Sequence, residues 1–184
     1  RSVAAYGIVR AASRALPRLI ELLETADPGL QLRVIDVIGD IALEAGSATS
    51  TLVSLSNSED VKVRRATFEA LGMVTQTDEV LAPDVVAVLG KGLEDEDAIV
   101  VRNTTFAISR LGAKASTDSI IDQIDRNLSH WHHHVRGWSI EALQRLENPR
   151  AMELALSYLM SARWDPALKS GDREATAKTM REAP

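Results

Sequence analysis

An apolar residue followed by arginine recurs along this chain as Leu32-Arg33, Val63-Arg64, Val101-Arg102 and Val135-Arg136, with Arg1 in frame for a truncated fifth copy. The steps between these arginines are 32, 31, 38 and 34 residues. A unit of that length cannot bury a core by itself, and self-similarity at such a period marks an array in which each unit covers its neighbour. The expected fold is therefore all-α: an α-solenoid of about five helix pairs in a right-handed superhelical stack.

The clearest copy reads Asp60-Val61-Lys62-Val63-Arg64-Arg65-Ala66-Thr67-Phe68-Glu69-Ala70-Leu71-Gly72. In the fourth copy Asp97 lies five before Arg102, and Phe106 matches Phe68 at four past the arginine. The fifth keeps Val135-Arg136 and Ala142-Leu143 but has histidines where the acid stood, the second keeps Arg33 and Gly39 with Asp27 upstream, and the first has Ala4 and Gly7 in frame with Arg1. The pattern of acid, two spacers, Val-Arg and then Ala-Leu-Gly resembles the HEAT repeat in its short bacterial form, over about residues 1–161. The units fall at about 1–26, 27–58, 59–96, 97–129 and 130–161, and 162–184 reads as a C-terminal cap and polar tail.

Each unit has a physical logic. After Arg64, the side chains of Ala66, Phe68, Ala70, Leu71 and Val74 form an apolar stripe on a first helix, and Phe68 and Phe106 are expected to be buried at equivalent places. Second helices carry stripes of their own, Leu16, Leu19, Ile20 and Leu23 in the first unit and Ile120, Ile121, Ile124 and Leu128 in the fourth. The arginine is expected near the start of each first helix, against the acid of its own or a neighbouring turn. Asn148-Pro149 is a helix start, with proline where its missing N–H costs nothing. Asp27-Pro28, Ser58-Glu59-Asp60 and Ala113 to Asp118 read as turns. The longer third step is assigned to a polar loop from Thr75 to Pro83. Val85 to Leu89 is kept helical because Pro83-Asp84 opens it, and Gly90 and Gly92 should loosen its end.

Charge narrows the function classes. Residues 26–100 carry 14 acids against 5 bases, a net charge of −9. Phosphate binding needs a clustered basic face, so a nucleic-acid groove is not expected. No apolar run approaches the roughly 20 residues that span a bilayer. The chain has no cysteine, which excludes thiolate metal sites. A cytoplasmic location is the expectation.

The densest grouping of titratable side chains is His130-Trp131-His132-His133-His134. On one helix His130, His133 and His134 would share a face and could ligate zinc or nickel. The window falls where a turn should enter the fifth unit, so it is read as a polar turn and helix start, with no metal site and no cofactor. Trp131, Trp138 and Trp164 are read as packing residues, with Trp164 folded back over the last helix pair and a short helix near Asp172–Glu182. Two enzymatic relatives share such repeats: the phycobilin lyases, and the DNA-alkylation-repair glycosylases, for which Trp131 and Trp138 with Asp118, Asp122 and Asp125 are the matching residue types. Paired His-Glu dipeptides of the deoxyhypusine hydroxylase type are missing.

The expected function is non-catalytic: a scaffold whose inner row of second helices grips a protein or peptide, with no nucleic acid, no membrane span and no small-molecule substrate. The contact residues are those left off the apolar stripes, namely Arg14, Arg18, Glu21 and Glu24 in the first unit. In the fourth they are Asp118, Asp122, Gln123, Asp125 and Arg126, and in the fifth Arg150, Glu153 and Ser157.

Overall fold

The computed structural model describes residues 11–162 of the chain. Among them all regular structure is helical, with nine α-helices, three short 3-10 segments and no strand. The α-helices are α1 (Ala12–Thr25), α2 (Pro28–Ile41), α3 (Thr49–Leu55), α4 (Val61–Val74), α5 (Pro83–Gly92), α6 (Ala98–Leu111), α7 (Asp118–Asn127), α8 (His133–Arg145) and α9 (Pro149–Ser161). First helices (α2, α4, α6, α8) alternate with second helices (α1, α3, α5, α7, α9). The sequence positions of Arg1, Ala4, Gly7, Trp164 and Asp172–Glu182 lie outside the described residues.

Side-chain caps begin most of these helices, because the first N–H groups of a helix have no internal partner. Asp27 accepts from the N–H groups of Gly29 (2.9 Å) and Leu30 (3.1 Å). Asp60 accepts from Lys62 (2.7 Å), and Asp97 from Ile99 and Val100 (both 3.0 Å). Asn148 does the same for α9 through Arg150 (2.9 Å). At α8 the cap is His132, which makes no side-chain cap bond. The residue two before the cap braces the entering turn in three copies. Ser58 accepts from the N–H of Asp60 (3.3 Å), Asp95 from that of Asp97 (2.9 Å), and His130 Nδ1 from that of His132 (3.0 Å).

Counted from these caps, the core repeats position by position. Eight past the cap lie Ile35, Phe68, Thr105 and Ile140, and eleven past it lie Ile38, Leu71, Ile108 and Leu143, all buried. Fourteen past it the buried residues are Ile41, Val74, Leu111 and Leu146. One residue further the backbone turns with positive φ at Ala42 (52°), Gly112 (58°) and Glu147 (52°). The equivalent Thr75 has φ −90° and leads through a 3-10 turn, Thr75–Thr77, into the longer loop before α5. That loop buries Leu81 and exposes Val80.

This register corrects the one drawn from the arginines. Arg64 and Arg136 sit four past their caps, but Arg102 sits five past and Arg33 six past. Phe106 is therefore not the partner of Phe68. It lies about 100° further round its helix, half-buried, and packs edge-on against Trp138 with ring centroids 4.8 Å apart. The arginines in register share one job: Arg64 donates to the carbonyls of Ser58 (3.0 Å) and Glu59 (3.4 Å), and Arg136 to those of His130 (2.7 Å) and Trp131 (2.9 Å). Four past its cap, α2 has Gln31, which donates to the carbonyl of Leu23 (2.8 Å) on α1. The acid thus serves the N-terminus of its helix, and the arginine donates to the carbonyls of the turn before it.

The chain divides into two compact units, Arg1–Val88 and Leu89–Pro184. In the first, α2 packs between α1 and α4, and α3 and the 3-10 segment Ala42–Ala48 close on α4. At Gly39 α2 faces Ala70 of α4, and a Cβ there would lie 3.7 Å from that of Ala70, an ordinary van der Waals contact. In the second, α8 is the hub and packs against α6, α7 and α9. Buried Asn127 at the end of α7 donates to the carbonyl of Leu93 (3.1 Å), which ties α7 to the chain leaving α5.

Candidate protein-binding face

In the second unit, the exposed sides of α7 and α9 come together through charge. Ile120, Ile121 and Ile124 hold α7 in the core, so Asp118, Asp122, Gln123, Asp125 and Arg126 are turned outward. Ala151 and Ala155 do the same for α9, leaving Arg150, Glu153 and Ser157 exposed. Arg150 spans the two helices: its guanidinium bonds the Asp122 carboxylate and lies 3.8 Å from that of Asp118. The Asp122 hydrogen bond and charge raise the Arg150 pKa. Arg126 Nε donates to Gln123 (2.8 Å), and its guanidinium lies 3.8 Å from Glu94 just beyond α5. Glu94 is not among the expected contact residues, which come from the polar faces of helices, because it lies in the loop after α5.

This row holds five carboxylates, at Glu94, Asp118, Asp122, Asp125 and Glu153, against two arginines. Its chemistry is hydrogen bonding and charge pairing on an extended polar ridge. In the first unit, Arg14, Arg18, Glu21 and Glu24 are all exposed on α1, where Arg18 pairs with Glu21 three residues on.

The histidine segment is arranged differently from a single helical face. Helix α8 starts at His133, so His130 lies in the preceding turn with its Nδ1 occupied by the His132 N–H. The rings stack on one another: His132 and His133 are 5.3 Å apart and within 6° of parallel, and His133 and His134 are 4.0 Å apart. Among the described residues no three His, Asp or Glu side chains are grouped so as to hold a metal ion. His132 is buried and its Nδ1 makes no hydrogen bond. Burial, with the neighbouring His133, His134, His130 and Arg102, lowers its pKa to about 4. Burial also lowers His130 and His134, with Arg136 and Arg102 respectively adding to the effect.

The tryptophans divide. Trp138 is half-buried against Phe106, as a packing residue should be, whereas Trp131 is 53% exposed. It precedes the cap of α8, and its ring lies against the neighbouring rings of His130 and His132. No described helix is long and apolar enough to cross a membrane.

Comparison with known proteins gives an independent view of this architecture. The family model of HEAT repeats matches residues 16–109, just over half of the chain. No curated protein matches the sequence. Among solved structures, an engineered protein determined by a structural genomics consortium superimposes with a TM-score of 0.67 at 21% identity, covering 95% of this chain and 81% of that one. A designed armadillo repeat protein in complex with the peptide (KR)4 gives a TM-score of 0.68 at 17% identity, covering 97% and 83%. At such identities the likeness concerns the fold, which is that of helical repeat proteins.

Proposed function

The chain belongs to the HEAT-repeat family, and from that premise we propose that it is a non-catalytic scaffold that binds a protein or peptide along its exposed second helices. The observation that carries this reading is the ridge of α7 and α9, where Arg150 joins Asp118 and Asp122 across two helices. An array of this kind buries its apolar stripes between neighbours, and the outward side chains of its second helices are left to face solvent or a partner. Charged and amide groups spaced along such a ridge can meet the polar groups of an extended chain. The designed armadillo repeat protein of similar fold is itself bound to a basic peptide. The excess of carboxylates here suits a segment rich in lysine or arginine, because complementary charge sets orientation and speeds encounter.

The test is affinity capture by the native chain, with the retained protein identified by mass spectrometry and its affinity then measured. Replacing Asp118, Asp122 and Asp125 together by lysine should weaken that binding at least ten-fold while leaving the melting temperature within a few degrees. Equal affinity in the folded variant would remove the ridge from the interface.

A further inference from the structure

Helices α2, α4 and α6 share a contact that α8 lacks. In each of them an aspartate oxygen holds the N–H of the second helical residue. Asp27 holds that of Gly29 (2.9 Å), Asp60 that of Lys62 (2.7 Å) and Asp97 that of Ile99 (3.0 Å). The matching N–H in α8 belongs to His134, and the cap there is His132, whose side chain makes no cap bond. Among the described residues nothing else accepts from the His134 N–H. The start of α8 therefore keeps the unmet N–H and partial positive charge that a carboxylate covers in the other copies.

An open helix end alone would simply be met by water, but two further observations set this one apart. His132 is 7% exposed, yet its Nδ1 has no hydrogen-bond partner. Its ring lies against the first turn of the helix, 5.3 Å from the ring of His133 and 5.5 Å from that of His134. The unmet imidazole nitrogen and the unmet N–H thus belong to one place. A neutral imidazole can carry its proton on either nitrogen, so Nδ1 can donate to an acceptor. A buried polar atom left unpaired costs stability until something completes it.

The second observation is charge. Arg102 of α6 is close enough to lower the pKa of both His132 and His134. Its Nε and Nη2 donate to Asn103 Oδ1 (3.1 and 2.8 Å), and it forms no ion pair with a carboxylate among the described residues. The charged and titratable groups around His132 are Arg102, His130, His133 and His134, with no acid among them. In a chain of net charge −5 this is a cluster of donors without a negative partner. Trp131 and His134 are both exposed beside it, so the cluster borders solvent.

We propose that the start of α8 is an oxyanion-binding site, where a carboxylate or phosphate group takes the place that aspartate fills in the other first helices. The His134 N–H, His132 Nδ1–H and the Arg102 guanidinium hold it. The imidazoles act as neutral donors, and the attraction comes from the arginine and the helix end. The site uses none of the α7 and α9 ridge residues and does not depend on the function assigned to them.

The test follows the His134 amide of the full chain by heteronuclear NMR. Inorganic phosphate and acetate are titrated separately, with chloride holding ionic strength constant. At least one should move the His134 resonance along a saturable curve, and the tighter of the two identifies the group that the site prefers. Arg102→Gln should weaken that binding by about ten-fold, the usual worth of one charge-assisted hydrogen bond. His132→Asp supplies the carboxylate from within, so in the folded variant the His134 amide should stay still in both titrations. If His132→Asp does not fold, the Arg102→Gln comparison decides with His132 intact. No saturable shift with either anion would mean that water alone meets the helix end, which overturns the proposal. Undiminished affinity in Arg102→Gln, or a response that survives in folded His132→Asp, would mark an adventitious ion only and overturn it as well.

Discussion

Phe68 and Phe106 show how much a single residue's register is worth. Phe68 is 1% exposed, eight past its cap, in the position that Ile35 and Ile140 fill in other copies. Its removal should cost about 3–5 kcal/mol, the transfer of the ring plus the cavity left behind. Phe106 is half-buried and lies against Trp138, so Phe106→Ala should cost at most half as much, mostly the ring pair. Denaturant melts of the two variants check this, and equal losses would restore the arginine-based alignment. His132 offers a second residue-scale outcome. Its folded pKa of about 4 is below the ordinary 6.5, so the unfolded chain binds a proton that the folded chain refuses. The neutral form costs nothing above pH 6.5, and stability falls as pH drops from 6.5 toward 4. The groups that face it are all histidines or arginine, so protonation finds no carboxylate there to offset it. His132→Asn should flatten the decline in melting temperature between pH 7 and 4.5, and an unchanged slope would place the acid sensitivity elsewhere.

Helix ends explain what could and could not be read in advance. Capping is a local rule, so Pro83-Asp84 and Asn148-Pro149 open helices where the sequence says they should, and Asp27-Pro28, read only as a turn, caps a helix by the same chemistry. The register slipped because arginine was the ruler. Its long side chain keeps its head near solvent from several positions along a helix, so Arg33 and Arg102 could drift by one or two places. A cap cannot drift, and neither can the residue fifteen past it. That position takes positive φ in three copies, and Gly112 is the only glycine among the three. Glycine exchanges should therefore change sign with place. Gly112→Ala puts a Cβ 3.0 Å from the Arg145 carbonyl at φ 58° and should lower stability by about 1 kcal/mol or more. Ala42→Gly relieves the same strain at φ 52° and should raise it by up to about 1 kcal/mol. Gly90 sits inside α5 with open space around it, so Gly90→Ala should also stabilise, by about 0.5–1 kcal/mol. Thermal melts that moved all three in one direction would refute the argument from φ.

At the scale of the whole molecule, the repeat class was legible because it rests on periodicity, which survives a slipped register. The polar ridge of α7 and α9 was legible only in part. Polarity on the outer side of α7 and α9 can be read from each helix alone, but the bridge from Arg150 to Asp118 and Asp122 joins residues about 30 apart and depends on tertiary placement. The same nearest-neighbour construction makes stability uneven along the chain. Within the second unit, α8 touches α6, α7 and α9 and buries His133, Val135, Ser139, Ile140, Ala142 and Leu143. Helix α9 buries only Ala151 and Ala155 and packs chiefly on α8. Opening α9 therefore gives up two fully buried small side chains and the half-buried Leu154, Tyr158 and Leu159, whereas opening α8 uncovers three neighbours at once. Native-state hydrogen exchange should show the amides of α8 and α6 opening only with the unit as a whole, and those of α9 exchanging at least ten-fold faster through local opening. Uniform protection from α6 through α9 would mean that the second unit unfolds in a single step and that its end helix is held by contacts beyond α8.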